Sequence, residues 1–319
     1  MTLEVKFGVF LPFYAFPAGR SGKNFQDIKN LILEADHLGF DCVWLDDHLM
    51  YPDWSILEPW TTLSALAALT KKVRLGTLVS CMAHRNPALL AKTAATLDVI
   101  SDGRLELGVG AGIGAAEHEA YGFDFAEPKV RVERLAESVE LIRRLWTQDR
   151  ASFEGKYFRL QDAVCLPKPT QKPHPPITVG GKGQLLLRTV TAPYADRFDF
   201  GYLRSIEVYK KKLETLEKTC RTVGRDFGSV EKSCWPGAQV IVAQNKSEVE
   251  KEVAKKNPLG LSLEEFKRVN SVGTPAQIRE QLQPWLDLGV TYFMLYFGDL
   301  PDAVGPRLFA EEVMKPMRC

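Results

Sequence analysis

Two carboxylates and an imidazole stand in a row at Asp46-Asp47-His48, directly after the apolar run Cys42-Val43-Trp44-Leu45. An imidazole titrates near neutrality, so His48 is suited to general acid/base work, and a neighbouring Asp47 to orienting it. The apolar run reads as a strand buried on both faces, which places the polar groups at its exit on the rim of a core. In α/β proteins that rim is where ligands bind. The same three residues also read as an ordinary polar turn into the next helix.

Glycine gathers at two further strand exits, Gly108-Val109-Gly110-Ala111-Gly112-Ile113-Gly114 and Gly180-Gly181-Lys182-Gly183. Lacking a Cβ, such loops let backbone N–H groups approach a ligand. Gly183 leads into a helix-like run at Leu185, and Lys182 adds a positive charge, which together have the form of a phosphate loop. Sharp strand-to-helix turns would call for the same glycines. Gly110 to Ala115 also fits the loose G-x-G-x-x-A dinucleotide pattern, although no obvious helix follows it directly. Trp54 reads equally as a substrate-pocket wall or a plain core residue. Arg85 reads as a binder of an anionic tail or, preferred here, as a cap on neighbouring carbonyls. His37 reads as solvated and His174 as a loop residue, while the segment holding Glu117 and Tyr121 is a candidate lid.

These residues need a frame. Strand-like runs at Lys6–Leu11, Cys42–Leu45, Val73–Val79, Arg104–Val109, Ile177–Val179, Arg197–Phe200, Gln239–Val242 and Thr291–Tyr296 alternate with helix-like runs. Asn24 is suited to cap the first helix, and Ser262-Leu263-Glu264-Glu265 and Thr274-Pro275-Ala276-Gln277 are capping boxes. The alternation predicts an α/β fold, a (β/α)₈ TIM barrel forming a single domain over residues 1–319, with a doubly wound open sheet as the alternative. Three segments exceed ordinary loop lengths: Ile113–Pro128, Thr147–Pro176 and Ala243–Gly273. Two of them begin where a strand ends and are expected to build up the active-site face.

The 319 residues carry 41 basic and 40 acidic side chains, a net charge of +1, which gives no sign of a nucleic-acid or anionic-membrane partner. No apolar run approaches the ~20 residues of a membrane span. The N-terminus enters a strand at once, so no signal peptide is expected. The six cysteines form no Cys-x-x-Cys pair, and a chain this long needs no disulfides, which points to a reducing cytoplasm. His118-Glu119 is not followed by a second histidine in helical register, so zinc-type spacing is absent and no metal is expected.

In this order and spacing the residues resemble the bacterial-luciferase-like superfamily of flavin and deazaflavin enzymes. The landmarks are Phe7-Gly8-Val9, the Trp44-Leu45-Asp46-Asp47-His48 exit, Arg74-Leu75-Gly76-Thr77-Leu78-Val79, Arg85-Asn86-Pro87-Ala88, the run Thr96 to Gly110, and Pro176-Ile177-Thr178-Val179-Gly180-Gly181. Luciferases proper carry His-His where this chain has Asp47-His48, so the closer match is the branch that uses coenzyme F-420, an 8-hydroxy-5-deazaflavin. The resemblance implies an oxidoreductase that moves a hydride between F-420 and a small organic substrate, with Asp47 and His48 beside the ring. It also implies a non-proline cis peptide at Leu78–Val79 behind the ring, the Gly110, Ala111 and Gly112 loop against the cofactor, a phosphate loop at Gly180, Gly181, Lys182 and Gly183, and a homodimer. An FMN-dependent monooxygenase is the alternative, and a non-catalytic flavin-binding barrel the third reading. F-420-dependent sugar-phosphate dehydrogenases place a glutamate where this chain has Ile113, which weighs against a sugar-phosphate substrate.

Overall fold

The computed structural model describes residues 4–12, 24–51, 54–203, 205–257 and 260–318. Eight parallel strands close into a barrel: β1 (Lys6–Leu11), β2 (Cys42–Leu45), β3 (Arg74–Cys81), β4 (Leu105–Gly110), β5 (Ile177–Gly180), β6 (Arg197–Asp199), β7 (Glu231–Cys234) and β8 (Tyr292–Leu295). β8 returns to β1 with Lys6 opposite Tyr292. Closure excludes the open doubly wound sheet. Helices α1 (Asn24–Leu38), α2 (Pro59–Ala67) and α3 (Pro87–Ile100) cross between the first four strands. Glu58 and Asn86 cap α2 and α3, each accepting two backbone N–H groups, and proline opens both. The side chain of Asn24 lies outside the described residues. Both capping boxes form as the sequence indicates. Among the described residues no helix is long and apolar enough to cross a membrane.

Two elements differ from expectation. The apolar run expected as the seventh strand, Gln239–Val242, is not in the barrel: Val240–Val242 pairs with Ser271–Gly273 in a separate two-stranded sheet. Glu231-Lys232-Ser233-Cys234 takes its place. The reason is electrostatic. Arg197 on β6 has a side chain only 4% exposed, and a guanidinium cannot shed its proton. It donates to Glu106 on β4 at 2.9 Å and to Glu231 on β7 at 2.7 Å, while Arg74 and Lys6 pair with the outer sides of those carboxylates. Its cation also lies 3.8 Å from the Tyr292 ring centroid. The barrel strand is therefore chosen by the charge it brings, which apolar periodicity does not register.

The second difference is a helix after the β4 glycines, α4 (Ala115–Ala120), where none was evident. Its sequence has too few apolar residues to display a period. It is followed by α5 (Pro128–Thr147). Strand β3 also runs two residues past Val79, with a register shift against β4 between Thr77 and Ser80, and the Leu78–Val79 peptide is cis.

Replacing Glu106 with Gln removes one charge that balances Arg197 while leaving the shape nearly unchanged. Breaking a buried pair this way is expected to lower unfolding free energy by about 3–5 kcal/mol in urea denaturation. A loss under about 1 kcal/mol would show that Arg197 is balanced without it.

Candidate active site

Because the strands are parallel, their C-terminal ends share one face, and residues far apart in sequence meet there. They line a cavity of about 630 Å³. Asp46, Asp47 and His48 enter from β2, Leu78, Val79 and Cys81 from β3, and Gly110, Ala111, Gly112 and Ile113 from β4. Gly180, Gly181, Lys182 and Gly183 follow β5, Asp199 ends β6, and Lys129 and Arg131 come from α5. Every site residue expected from the sequence lines this cavity except Trp54, which is half-buried and bridges to Tyr51.

The glycines at the strand exits have a packing reason. A Cβ on Gly110 would stand 2.5 Å from Val79 Cγ2, and one on Gly180 2.8 Å from Val79 Cγ1. One on Gly108 would stand 1.9 Å from the Thr77 carbonyl oxygen. The irregular stretch of β3 thus pushes into space that only glycine leaves on its neighbours. Packing against Val79 and Thr77 thus accounts for these glycines, and Gly110 and Gly180 line the cavity as well.

The acid/base groups are wired differently from the simple reading of Asp47-His48. Asp47 does not orient His48. Its carboxylate accepts two hydrogen bonds from Arg85, both 2.6 Å, and one from the Cys81 N–H at 3.0 Å. Burial pushes the Asp47 carboxyl up, but the hydrogen bonds and charge of Arg85, helped by the His84 imidazole 3.7 Å away, outweigh it and hold the pKa at about 2. Arg85 also reaches Glu58 at 2.8 Å, so it clamps carboxylates rather than capping carbonyls.

His48 is held instead by Glu117, on α4, with Nδ1 3.0 Å from Oε2. The Glu117 carboxylate is 6% exposed as a residue and also accepts the N–H groups of Leu49 and, at 3.2 Å, Met50. Burial raises the Glu117 carboxyl, and the Leu49 N–H and His48 lower it further than burial lifts it. Sequence reading placed Glu117 in a candidate lid and named no partner for it. The signal it lacked was α4 itself, which lifts Glu117 across the mouth to β2. Since the carboxylate only accepts, Nδ1 carries the proton toward it, and Nε2 is the nitrogen left for another partner.

The β5 exit supplies backbone donors, and lysines line the same cavity. Gly181, at φ +126°, spends its N–H on the Asp199 carbonyl at 2.7 Å. Among the described residues the N–H groups of Lys182, Gly183 and Gln184 donate to no protein acceptor. The Lys129 and Lys182 side chains stand nearby, whereas Arg131 is occupied with the carbonyls of Ala111 and Gly112 and lies over Phe125. Asp199 accepts from the Gly201 N–H and Trp235 Nε1, both 2.8 Å, yet burial dominates and pushes its carboxyl above the ordinary range.

The family model described as luciferase-like monooxygenase matches residues 5–268. The F420-dependent glucose-6-phosphate dehydrogenase of Amycolatopsis mediterranei (strain U-32) is 30% identical, over 92% of this chain and 95% of its own length. Two solved structures share the fold: monooxygenase RslO1 from Streptomyces bottropensis, with a TM-score of 0.80, 24% identity, and coverage of 98% of this chain and 99% of that one, and an F420-dependent secondary alcohol dehydrogenase in complex with an F420-acetone adduct, with a TM-score of 0.79, 21% identity, and coverage of 99% of both chains.

The raised Asp199 carboxyl gives a pH test. Ionising it is unfavourable in the folded state, so the penalty is absent below the unfolded value near 3.9 and complete above the folded one. The Tm of Asp199→Asn relative to the parent should therefore be more favourable at pH 7 than at pH 4. A difference that stays constant across that range would refute the raised value.

Proposed function

The chain belongs to the luciferase-like monooxygenase family, and on that premise we propose that it is an oxidoreductase that moves a hydride between coenzyme F-420 and a small organic substrate. The observation that carries the reading is the His48–Glu117 pair at 3.0 Å on the rim of a cavity walled by Val79 and the two glycine loops. The residues fit a flat, anionic cofactor. Gly110 and Gly180 leave a surface without side chains, the volume suits a ring system, and the amides of Lys182, Gly183 and Gln184 suit a phosphate. Lys182 and Lys129 add positive charge along the same wall. When bound, the deazaflavin supplies the hydride acceptor or donor.

The protein's own residues handle position and proton. Leu78 and Val79 would stand behind the cofactor's ring, and Gly110, Ala111, Gly112, Gly180, Gly181, Lys182 and Gly183, which line the same cavity, would hold it from the loops. His48 exchanges the substrate proton through Nε2, and Glu117 fixes the imidazole and balances its charge when it is protonated. Asp47, neutralised by Arg85, is a positioning residue that ties the β2 exit to β3. Ile113 is 70% exposed at the cavity edge, where sugar-phosphate dehydrogenases of this branch carry a glutamate, and this favours a neutral alcohol or carbonyl substrate over a sugar phosphate. We read the whole chain as one domain, active as a homodimer in the cytoplasm.

An FMN-dependent monooxygenase is the second reading, since the family name covers both, and one titration separates them. The purified protein should bind F-420 much more tightly than FMN, and tighter FMN binding would reverse the assignment. With F-420 turnover in hand, His48→Ala should lower kcat by about 10²–10⁴-fold while cofactor affinity stays within a few-fold. Near-parental turnover in that variant would remove the proton role from His48. Lys182→Ala should do the opposite, weakening F-420 binding with little change in Tm.

A further inference from the structure

Behind the cavity wall, three residues from three elements converge: Cys81 at the end of β3, His84 in the turn after it, and His118 on α4. One ligand atom of each lies within 4.8 Å of the other two. Cys81 and His118 are buried, and the His84 side chain is 3% exposed. Among the described residues neither ring nitrogen of His84 has a hydrogen-bond partner, although Asp47 Oδ1 stands 3.7 Å from its Nε2. A buried imidazole without hydrogen bonds is a group that calls for an explanation.

The other two residues supply one. His118 Nδ1 lies 2.9 Å from the Gly114 carbonyl oxygen, which only accepts, so the proton sits on Nδ1 and Nε2 presents its lone pair. That Nε2 is 3.5 Å from Cys81 Sγ. With metal bonds of about 2.3 Å to sulfur and 2.0–2.1 Å to nitrogen, the sulfur–nitrogen edge of a tetrahedral zinc site is about 3.5 Å long. A backbone carbonyl on the far nitrogen of one histidine and a carboxylate beside the other is the outer arrangement that orients metal-binding imidazoles. A Cβ on Gly112 would stand 2.7 Å from Cys81 Sγ and 2.9 Å from Ala83 Cβ, so glycine there keeps the sulfur uncrowded.

We propose that Cys81, His84 and His118 bind a zinc ion through one thiolate and two imidazoles. Binding releases to solvent the Cys81 thiol proton and the second proton that Asp47 favours on the His84 imidazole, and the ion ties α4, the element that carries Glu117, to the end of β3. The spacing along any one helix gave no hint of this, because each ligand comes from a different element.

Cobalt(II) is the probe, since it takes zinc sites and reports thiolate coordination by a near-ultraviolet charge-transfer band. The full-length, chelator-treated protein without F-420 should develop that band at one cobalt per chain, and zinc should abolish it. Cys81→Ser should lose the band, whereas Cys220→Ser, which alters a buried cysteine elsewhere, should keep it. His118→Gln, checked for folding by circular dichroism, should bind zinc at least about tenfold more weakly and lose the rise in Tm that zinc gives the parent. No thiolate band in the parent, or a band that survives in Cys81→Ser, would overturn the proposal and leave the 3.5 Å contact as a thiol–imidazole hydrogen bond. Because none of these readouts involves F-420 or turnover, they stand or fall apart from the assigned activity.

Discussion

The burial of Arg197 is the constraint around which this barrel is arranged. A permanent cation deep in a barrel is tolerated only with carboxylates against it, and two strands, β4 and β7, deliver Glu106 and Glu231 from opposite sides. Arg74 and Lys6 then balance the outer faces of those acids, so the ladder spans β3, β4, β6, β7 and β1. Trp44 and Tyr292 fill the space beside it, joined by a hydrogen bond of 3.1 Å. Gly8 and Gly76 leave room for that indole, since a Cβ on either would come within 2.6 Å of it. The register that satisfies the ladder also brings the strand exits to one level, and the cavity sits on that level.

The mouth repeats the same logic with more consequence for chemistry. Two buried carboxylates stand near one imidazole, and each finds its own partner. Asp47 is locked to Arg85 and the β3 backbone, so its charge is spent on structure. Glu117 reaches His48 and two backbone N–H groups of the β2 exit, so its charge is spent on holding an imidazole at the cavity. A single Asp-His step in the sequence thus resolves into two paired carboxylates with different duties. The short helix α4 is the hinge of this division, because it supplies both Glu117 and, on the adjacent position, His118.

Packing and ligand access are also joined in one device. Val79 projects from the irregular part of β3 against Gly110 and Gly180, and those glycines belong to the two loops that line the cavity. A side chain at either would clash with Val79, which lines the cavity beside them. The packing of β3 and the shape of the cavity therefore depend on the same atoms, which is why neither reading of these glycines excludes the other.

What the sequence determined by itself was the part carried by local spacing. Apolar runs marked seven of the eight barrel strands to within about two residues, capping residues marked the helices, and the parallel arrangement then forced residues at strand exits onto one face. Asp47, His48, the β4 and β5 glycines and Val79 were legible for that reason. What only the tertiary structure decided was pairing between distant charges. Glu231 meets Arg197 across 34 positions, Arg85 meets Asp47 across 38, and Glu117 meets His48 across 69. Periodicity has no access to such partners. It therefore favoured the apolar Val240–Val242 over the charged β7, and it left Glu117 in a nameless lid. A strand that must balance a buried guanidinium, and a carboxylate that must hold an imidazole, are selected by electrostatic satisfaction, which exists only once the chain has folded back on itself.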